Sequence, residues 1–138
     1  MSFKHLSFVD LFTKEDLTVE IPMLQRDYAY GRKTESEKRK EFLKSIKGYL
    51  VSDNKNHELD FVYGAVSSPK GEKILILLDG QQRITTLFLL HWYFAITNKQ
   101  YDTFRKLLQK NNVSRFTYNT RDSSTKFCNS LVNLKKNA

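Results

Sequence analysis

A chain of 138 residues with 40% hydrophobic and 13% aromatic content is long enough to bury a core and too apolar to be a disordered tail. Its single cysteine, Cys128, excludes an intramolecular disulfide and points to a reducing compartment. The net charge of +8 lies almost wholly in the second half: residues 71–138 hold 11 Lys/Arg against 4 Asp/Glu, whereas residues 1–70 hold 12 against 11. Such a one-sided basic surface attracts polyanions, nucleic acid first among them, although the same residues can serve simply as a solvated face.

The N-terminal residues 1–16 are interrupted by Lys4, His5, Asp10 and Lys14, which is incompatible with a secretory signal. The longest apolar stretch, residues 84–96, contains Thr85, Thr86 and His91. It falls short of the roughly 18 residues that a membrane span requires. With no internal repeat, low-complexity tract or Gly/Ser linker, the sequence reads as one soluble, cytoplasmic domain over residues 1–138.

In chain order, residues 7–12 predict a short helix with Leu6, Phe8, Val9, Leu11 and Phe12 available for packing. Leu17-Thr18-Val19-Glu20-Ile21 alternates apolar and polar, the pattern of a half-buried strand, and Pro22 ends it. Residues 34–50 read as a helix opened by a Thr34-x-x-Glu37 capping box and striped by Phe42, Leu43, Ile46, Tyr49 and Leu50, with Glu35 and Arg39 as an i,i+4 pair. Residues 60–66 and 73–78 form a predicted hairpin around Pro69 and Gly71, and the unbroken run Ile74-Leu75-Ile76-Leu77-Leu78 suggests burial on both faces. Residues 81–96 predict a central helix, apolar nearly all round. An amphipathic helix over 101–110 turns Tyr101, Phe104, Leu107 and Leu108 inward; a short strand over 113–118 and a last helix over 122–134, packing Phe127, Leu131 and Leu134, complete the chain. Cys128, near the apolar face of that last helix, reads as a small core residue. Strands first and helices later indicate an α+β domain.

The most informative stretch is the abrupt turn from the buried strand into the central helix at Asp79-Gly80-Gln81-Gln82-Arg83. A helix N-terminus gathers unpaired N–H groups and the positive end of the macrodipole, which suits a phosphate or another anion. A second Gln-Arg pair stands in Gln25-Arg26-Asp27-Tyr28-Ala29-Tyr30. If the two segments converge, two arginines, three glutamines, a carboxylate and two ring faces meet in one pocket. That inventory suits a nucleoside triphosphate. The same groups can instead satisfy carbonyls or pair with Asp27 and Asp79 inside the fold.

The phrase Ile21-Pro22-x-x-Gln25-Arg26-x-Tyr28-x-Tyr30, followed by Asp79-Gly80-Gln81-Gln82-Arg83-Ile84-Thr85-Thr86-Leu87, resembles the N-terminal domain of GmrSD-type, modification-dependent (type IV) restriction enzymes. Phe116-x-Tyr118-x-Thr120-Arg121-Asp122-Ser123-Ser124-x-x-Phe127-Cys128 is similar to a stretch of longer members. The likeness spans residues 19–131.

It implies a ParB/sulfiredoxin-like small mixed sheet packed with helices, and binding and hydrolysis of an NTP with Mg²⁺. That hydrolysis would regulate an anti-phage nuclease, carried by a C-terminal domain or separate subunit, that cuts foreign DNA. On this likeness the chain is an N-terminal piece or a reduced relative. Arg83 and Arg26 would neutralise the β- and γ-phosphates, and Asp79 would hold Mg²⁺ or orient the attacking water. Gln81 or Gln82 would place that water, Gln25 would join the site, Tyr28 or Tyr30 would stack on the base, and Gly80 would admit the phosphate.

Two departures stand out: Leu24 replaces a usual aromatic, and Tyr30 a usual tryptophan. The scattered His5, His57 and His91 give no nuclease metal set, and His91 is expected at the core or its rim. The alternative reading is a non-catalytic module. It would either bind DNA through Arg105, Lys106, Lys110, Arg115, Arg121 and Lys126, or dock a partner while the polar junction is consumed internally.

Overall fold

The computed structural model describes residues 4–22, 32–52, 57–59, 61–119 and 122–134. Helix α1 (Phe8–Thr13) is opened by a reciprocal cap, in which the Asp10 N–H donates to Ser7 Oγ (3.1 Å) and the Ser7 N–H to Asp10 Oδ2 (3.0 Å). That backbone donor, followed by Lys14, holds the Asp10 carboxyl below its ordinary value. Phe8 and Phe12 face inward. Strand β1 (Leu17–Ile21) follows with the expected alternation: Leu17, Val19 and Ile21 are buried, Thr18 and Glu20 only partly so.

Strands β2 (Tyr63–Ser67) and β3 (Lys73–Asp79) form the predicted antiparallel hairpin, turned through Lys70 and Gly71 at positive φ. The sheet order is β2-β3-β1-β6, where β6 is Phe116–Tyr118, and β1 lies parallel to both β3 and β6. Register places Val19 beside Leu75 and Phe116, and Ile21 beside Tyr118, on one face. Thr18 with Ile74, and Glu20 with Ile76 and Thr117, lie on the other.

From the first face Val19, Ile21, Leu77, Phe116 and Tyr118 join one cluster with buried apolar side chains of α1, α3 (Gln81–Thr97), α4 (Tyr101–Leu108) and α5 (Asp122–Val132). Aromatic contacts fix its middle, with Phe88 stacked on Phe116 at 4.6 Å and set against Phe104 at 5.9 Å. The architecture is α+β, a mixed sheet covered by helices. Among the described residues no helix is long and apolar enough to cross a membrane.

Several expectations are corrected. β3 is not buried on both faces: Leu77 is fully enclosed, but Leu78 is half exposed, because the helices cover only the face that Leu75 and Leu77 share. The Thr34–Glu37 capping box does not form. Thr34 sits inside a 3-10 turn (Lys33–Glu35), so α2 (Ser36–Val51) starts later, with Glu35 at its N-cap and the Glu35 carboxylate on Lys38 at 2.9 Å. The α2 stripe buries nothing, and Leu50 and Val51 are largely exposed. Helix α3 is enclosed at Ile84, Thr85, Thr86, Phe88 and Ala95, yet Tyr93, Phe94 and Ile96 face outward.

The strand predicted over 113–118 is two strands in two sheets. β4 (Gln109–Lys110) and β5 (Val113–Ser114) make a small hairpin through Asn111 and Asn112 at φ 52° and 63°, and the chain then passes Arg115 into β6. Helix α4 therefore stops at Leu108 instead of 110. In α5, Cys128, Leu131 and Val132 point inward, while Phe127 is exposed and Leu134 partly so. The sheet is completed by a strand from the second half, so strands and helices are interleaved along the chain and not segregated.

The inward position of Cys128 has a measurable consequence. Burial pushes its thiol up to about 11, so the reactive thiolate is scarce at neutral pH. A colorimetric thiol reagent at pH 8 is expected to leave the native protein unlabelled and to react with one equivalent once denaturant unfolds it. Prompt labelling of native protein would show that α5 is not seated as described.

Candidate functional site at the β3–α3 corner

The corner is built by a strand that cannot continue and a helix that starts at once. Gly80 occupies the N-cap of α3 with φ +82°, and a Cβ there would lie 2.6 Å from Val62 Cγ2. Only glycine combines that left-handed backbone with that close approach. Having no side chain, Gly80 offers no side-chain cap to the first turn of α3.

Each predicted residue of the turn has a distinct setting. The Asp79 side chain is 56% exposed, and Tyr63 is its cross-strand partner. Arg83 is 24% exposed; its Nη2 donates to the Phe61 carbonyl at 2.5 Å and lies 3.9 Å from Asp79 Oδ2. Gln81 is buried, and its Nε2 donates back to the Leu77 carbonyl at 2.9 Å, so that amide hydrogen bridges the two ends of the turn. Gln82 is half-buried, and its carbonyl accepts from Thr86 Oγ1 at 2.8 Å. Thr85 Oγ1 donates to the Gln81 carbonyl at 2.7 Å and lies 2.9 Å from Tyr118 Oη.

The sheet brings distant chain segments to this place. Because β1, β3 and β6 are mutually parallel, they all end on the same edge: β1 at Ile21, β3 at Asp79 and β6 at Tyr118. Past that edge, the Asn119 N–H donates to the Ile21 carbonyl (2.8 Å) and Asn119 Nδ2 to Glu20 Oε1 (3.1 Å). Gln25, Arg26, Tyr28 and Tyr30, expected to share the site, lie outside the described residues, but the chain that leads to them leaves the sheet at Pro22, on this edge. The carboxyl edge of parallel strands is where open α/β sheets place ligands.

Phe61 and Tyr63 escaped the sequence reading. Phe61 meets Arg83 through its carbonyl and Tyr63 pairs with Asp79, and the two residues are 67% and 60% exposed. Sequence carried no signal for this: continuing the register from Gly64 opposite Leu77 would set Tyr63 against Leu78, and an irregularity between Tyr63 and Gly64 moves it to Asp79.

The basic residues divide. Arg105, Lys106, Lys110 and Lys126 are exposed. Arg115 is engaged within the fold: its side chain is only 11% exposed, and its guanidinium meets Asp16 Oδ1 at 2.5 Å and lies 5.8 Å from the Phe12 ring centre. That hydrogen bond holds the Asp16 carboxyl below its ordinary value. Arg121 lies outside the described residues. His91 sits at the core rim, with Nδ1 at 2.7 Å from the Leu87 carbonyl and its ring 4.5 Å from that of Phe8. Among the described residues no group of three or more His, Cys, Asp or Glu is placed to hold a metal ion. Among the described residues Asp79 is the carboxylate of the turn, and a single carboxylate would suit a magnesium ion that arrives already held by phosphates.

Comparison with known families gives one match: the model of the GmrSD restriction endonuclease, N-terminal domain, covers residues 8–138. No curated protein and no solved structure matches the chain.

Gly80→Ala should cost about 1–3 kcal/mol, since it imposes both a positive φ on a residue with a Cβ and a clash with Val62. Thermal unfolding would show this as a drop of several degrees. In a Val62→Ala background the loss should shrink without vanishing, because the backbone strain persists.

Proposed function

The chain belongs to the GmrSD restriction endonuclease N-terminal domain family, and on that footing we propose that it is the nucleotide-binding and nucleotide-hydrolysing regulatory module of a prokaryotic restriction system directed against phage DNA. The observation that carries this reading is the convergence of three parallel strand ends on one corner, where an exposed carboxylate stands 3.9 Å from a guanidinium at the mouth of a 17-residue helix. Hydrolysis of a triphosphate is chiefly a matter of placement and charge stabilisation, and this corner supplies groups for both.

In this scheme the phosphates lie over the first turn of α3, with Arg83, joined by Arg26, balancing their charge. Asp79 would hold the Mg²⁺ that accompanies the nucleotide, an ion that draws charge from the phosphoryl oxygens when bound. Gln81 or Gln82 would orient water; one amide hydrogen of Gln81 is held by the Leu77 carbonyl. Tyr28 or Tyr30, with Gln25 beside them, would form one wall for the base, and the exposed rings of Phe61 and Tyr63 offer another. The nuclease, which the family description includes and these residues do not resemble, would be a further domain or a separate subunit.

A second role is compatible with the first. The exposed Arg105, Lys106, Lys110 and Lys126 favour contact with DNA phosphates, without sequence reading.

The deciding experiment is a thermal-shift panel of nucleoside triphosphates with Mg²⁺. A ligand at 100 times its dissociation constant adds about 2.7 kcal/mol and raises the melting temperature by several degrees. Asp79→Ala is expected to abolish turnover while leaving the melting temperature of the free protein nearly unchanged, since that side chain is largely in solvent. A flat panel across all nucleotides would remove the nucleotide reading. DNA retention should fall steeply with salt, and Arg105→Glu with Lys106→Glu should flatten that dependence; salt-independent retention would refute the second role.

A further inference from the structure

The third family-like phrase, which contains Phe116 and Tyr118, has no part in the scheme above, yet its phenol ends at the corner. Thr85 Oγ1 carries one hydrogen and lies 2.7 Å from the Gln81 carbonyl, which can only accept. That hydrogen is therefore committed, and the 2.9 Å contact with Tyr118 Oη must have the phenol as donor. Tyr118, Thr85 and Gln81 are all buried, so water does not replace a missing bond at little cost. From Gln81 the chain of bonds continues, because its side chain donates to the Leu77 carbonyl at 2.9 Å. Leu77 and Gln81 bracket Leu78, Asp79 and Gly80, so three hydrogen bonds tie β6 to both ends of the turn.

Helix α5 holds the other side of this connection. Thr125 Oγ1 donates to the Tyr118 carbonyl at 3.0 Å, which seats β6 against the helix that follows it. Tyr118 is thus the junction between the C-terminal helix and the corner.

We propose that the Tyr118 phenol is a positioning group: through Thr85 and Gln81 it fixes the first turn of α3, and so the setting of Asp79, Gln82 and Arg83 toward an anionic, triphosphate-class ligand. The claim about the turn is independent of any ligand; the claim about affinity rests on the nucleotide reading.

The test uses the whole chain and the variants Tyr118→Phe, Thr85→Val and Thr85→Ser. Tyr118→Phe removes one oxygen and keeps the ring beside Phe116. The first readout is amide hydrogen exchange at Ile84 and Thr85, compared with amides of α4. Losing one buried hydrogen bond should speed exchange at the corner about three- to tenfold in Tyr118→Phe, and Thr85→Val, which loses that bond and the one to the Gln81 carbonyl, should be at least as fast. Rates in α4 should stay the same, Thr85→Ser should keep wild-type rates, and the double variant should be no faster than Thr85→Val. Unchanged corner exchange, or equal acceleration throughout the molecule, would overturn the positioning role.

The second readout is affinity for inorganic tripolyphosphate with Mg²⁺. A three- to tenfold loss in Tyr118→Phe supports the link to the ligand, and equal affinity in variant and wild type overturns it. If the wild-type protein itself fails to bind, the nucleotide reading falls, and the exchange data alone decide the role of Tyr118.

Discussion

Parallel pairing of β1 with both of its neighbours is the constraint from which the rest follows. A hairpin returns the chain to where it started, but parallel strands must all leave the sheet in the same direction. Ile21, Asp79 and Tyr118 therefore end together, although they come from the beginning, middle and end of the chain. The helices that carry the chain from β3 to β6 have to cross one face, and the apolar cluster to which α3 and α4 contribute records that crossing. One topological choice thus supplies both the core and the polar edge.

Chemistry at that edge depends on how firmly the turn is held. Val62 presses on Gly80 from one side, the Phe61 carbonyl takes a hydrogen bond from Arg83, and Gln81 closes the gap to Leu77. These contacts give a short polar turn the stiffness of the strand and helix that it joins. A rigid edge loses little entropy on meeting a ligand, which favours recognition by fixed groups over folding on contact.

Local pattern was readable from sequence; register was not. Alternation in Leu17-Thr18-Val19-Glu20-Ile21 announced a half-buried strand, and the polar interruption at residues 79–83 announced the corner, because each signal lies within a few residues. The run Ile74-Leu75-Ile76-Leu77-Leu78 misled, since an apolar side chain can sit on a sheet face that no helix covers. Thr34 had the spacing of a cap but landed inside a tight turn. The Asn111–Asn112 hairpin was missed although asparagine is the residue type that tolerates positive φ. Within the corner, the residue types of Asp79, Gly80 and Arg83 suggested an anion site, whereas the inward commitment of Gln81 and the approach of Tyr63 and Tyr118 depend on strands far away in sequence.

The pairing of Val19 with Phe116 joins segments far apart in sequence, and this shapes how the fold is made. Long-range closure carries an entropic cost before any contact repays it, so folding of such a topology is slow for its size. During synthesis β1 leaves the ribosome and waits for a neighbour that is translated 97 residues later, from Val19 to Phe116. Until then its edge is open to wrong partners, and a nascent chain stalled before Phe116 is a candidate for chaperone capture or aggregation.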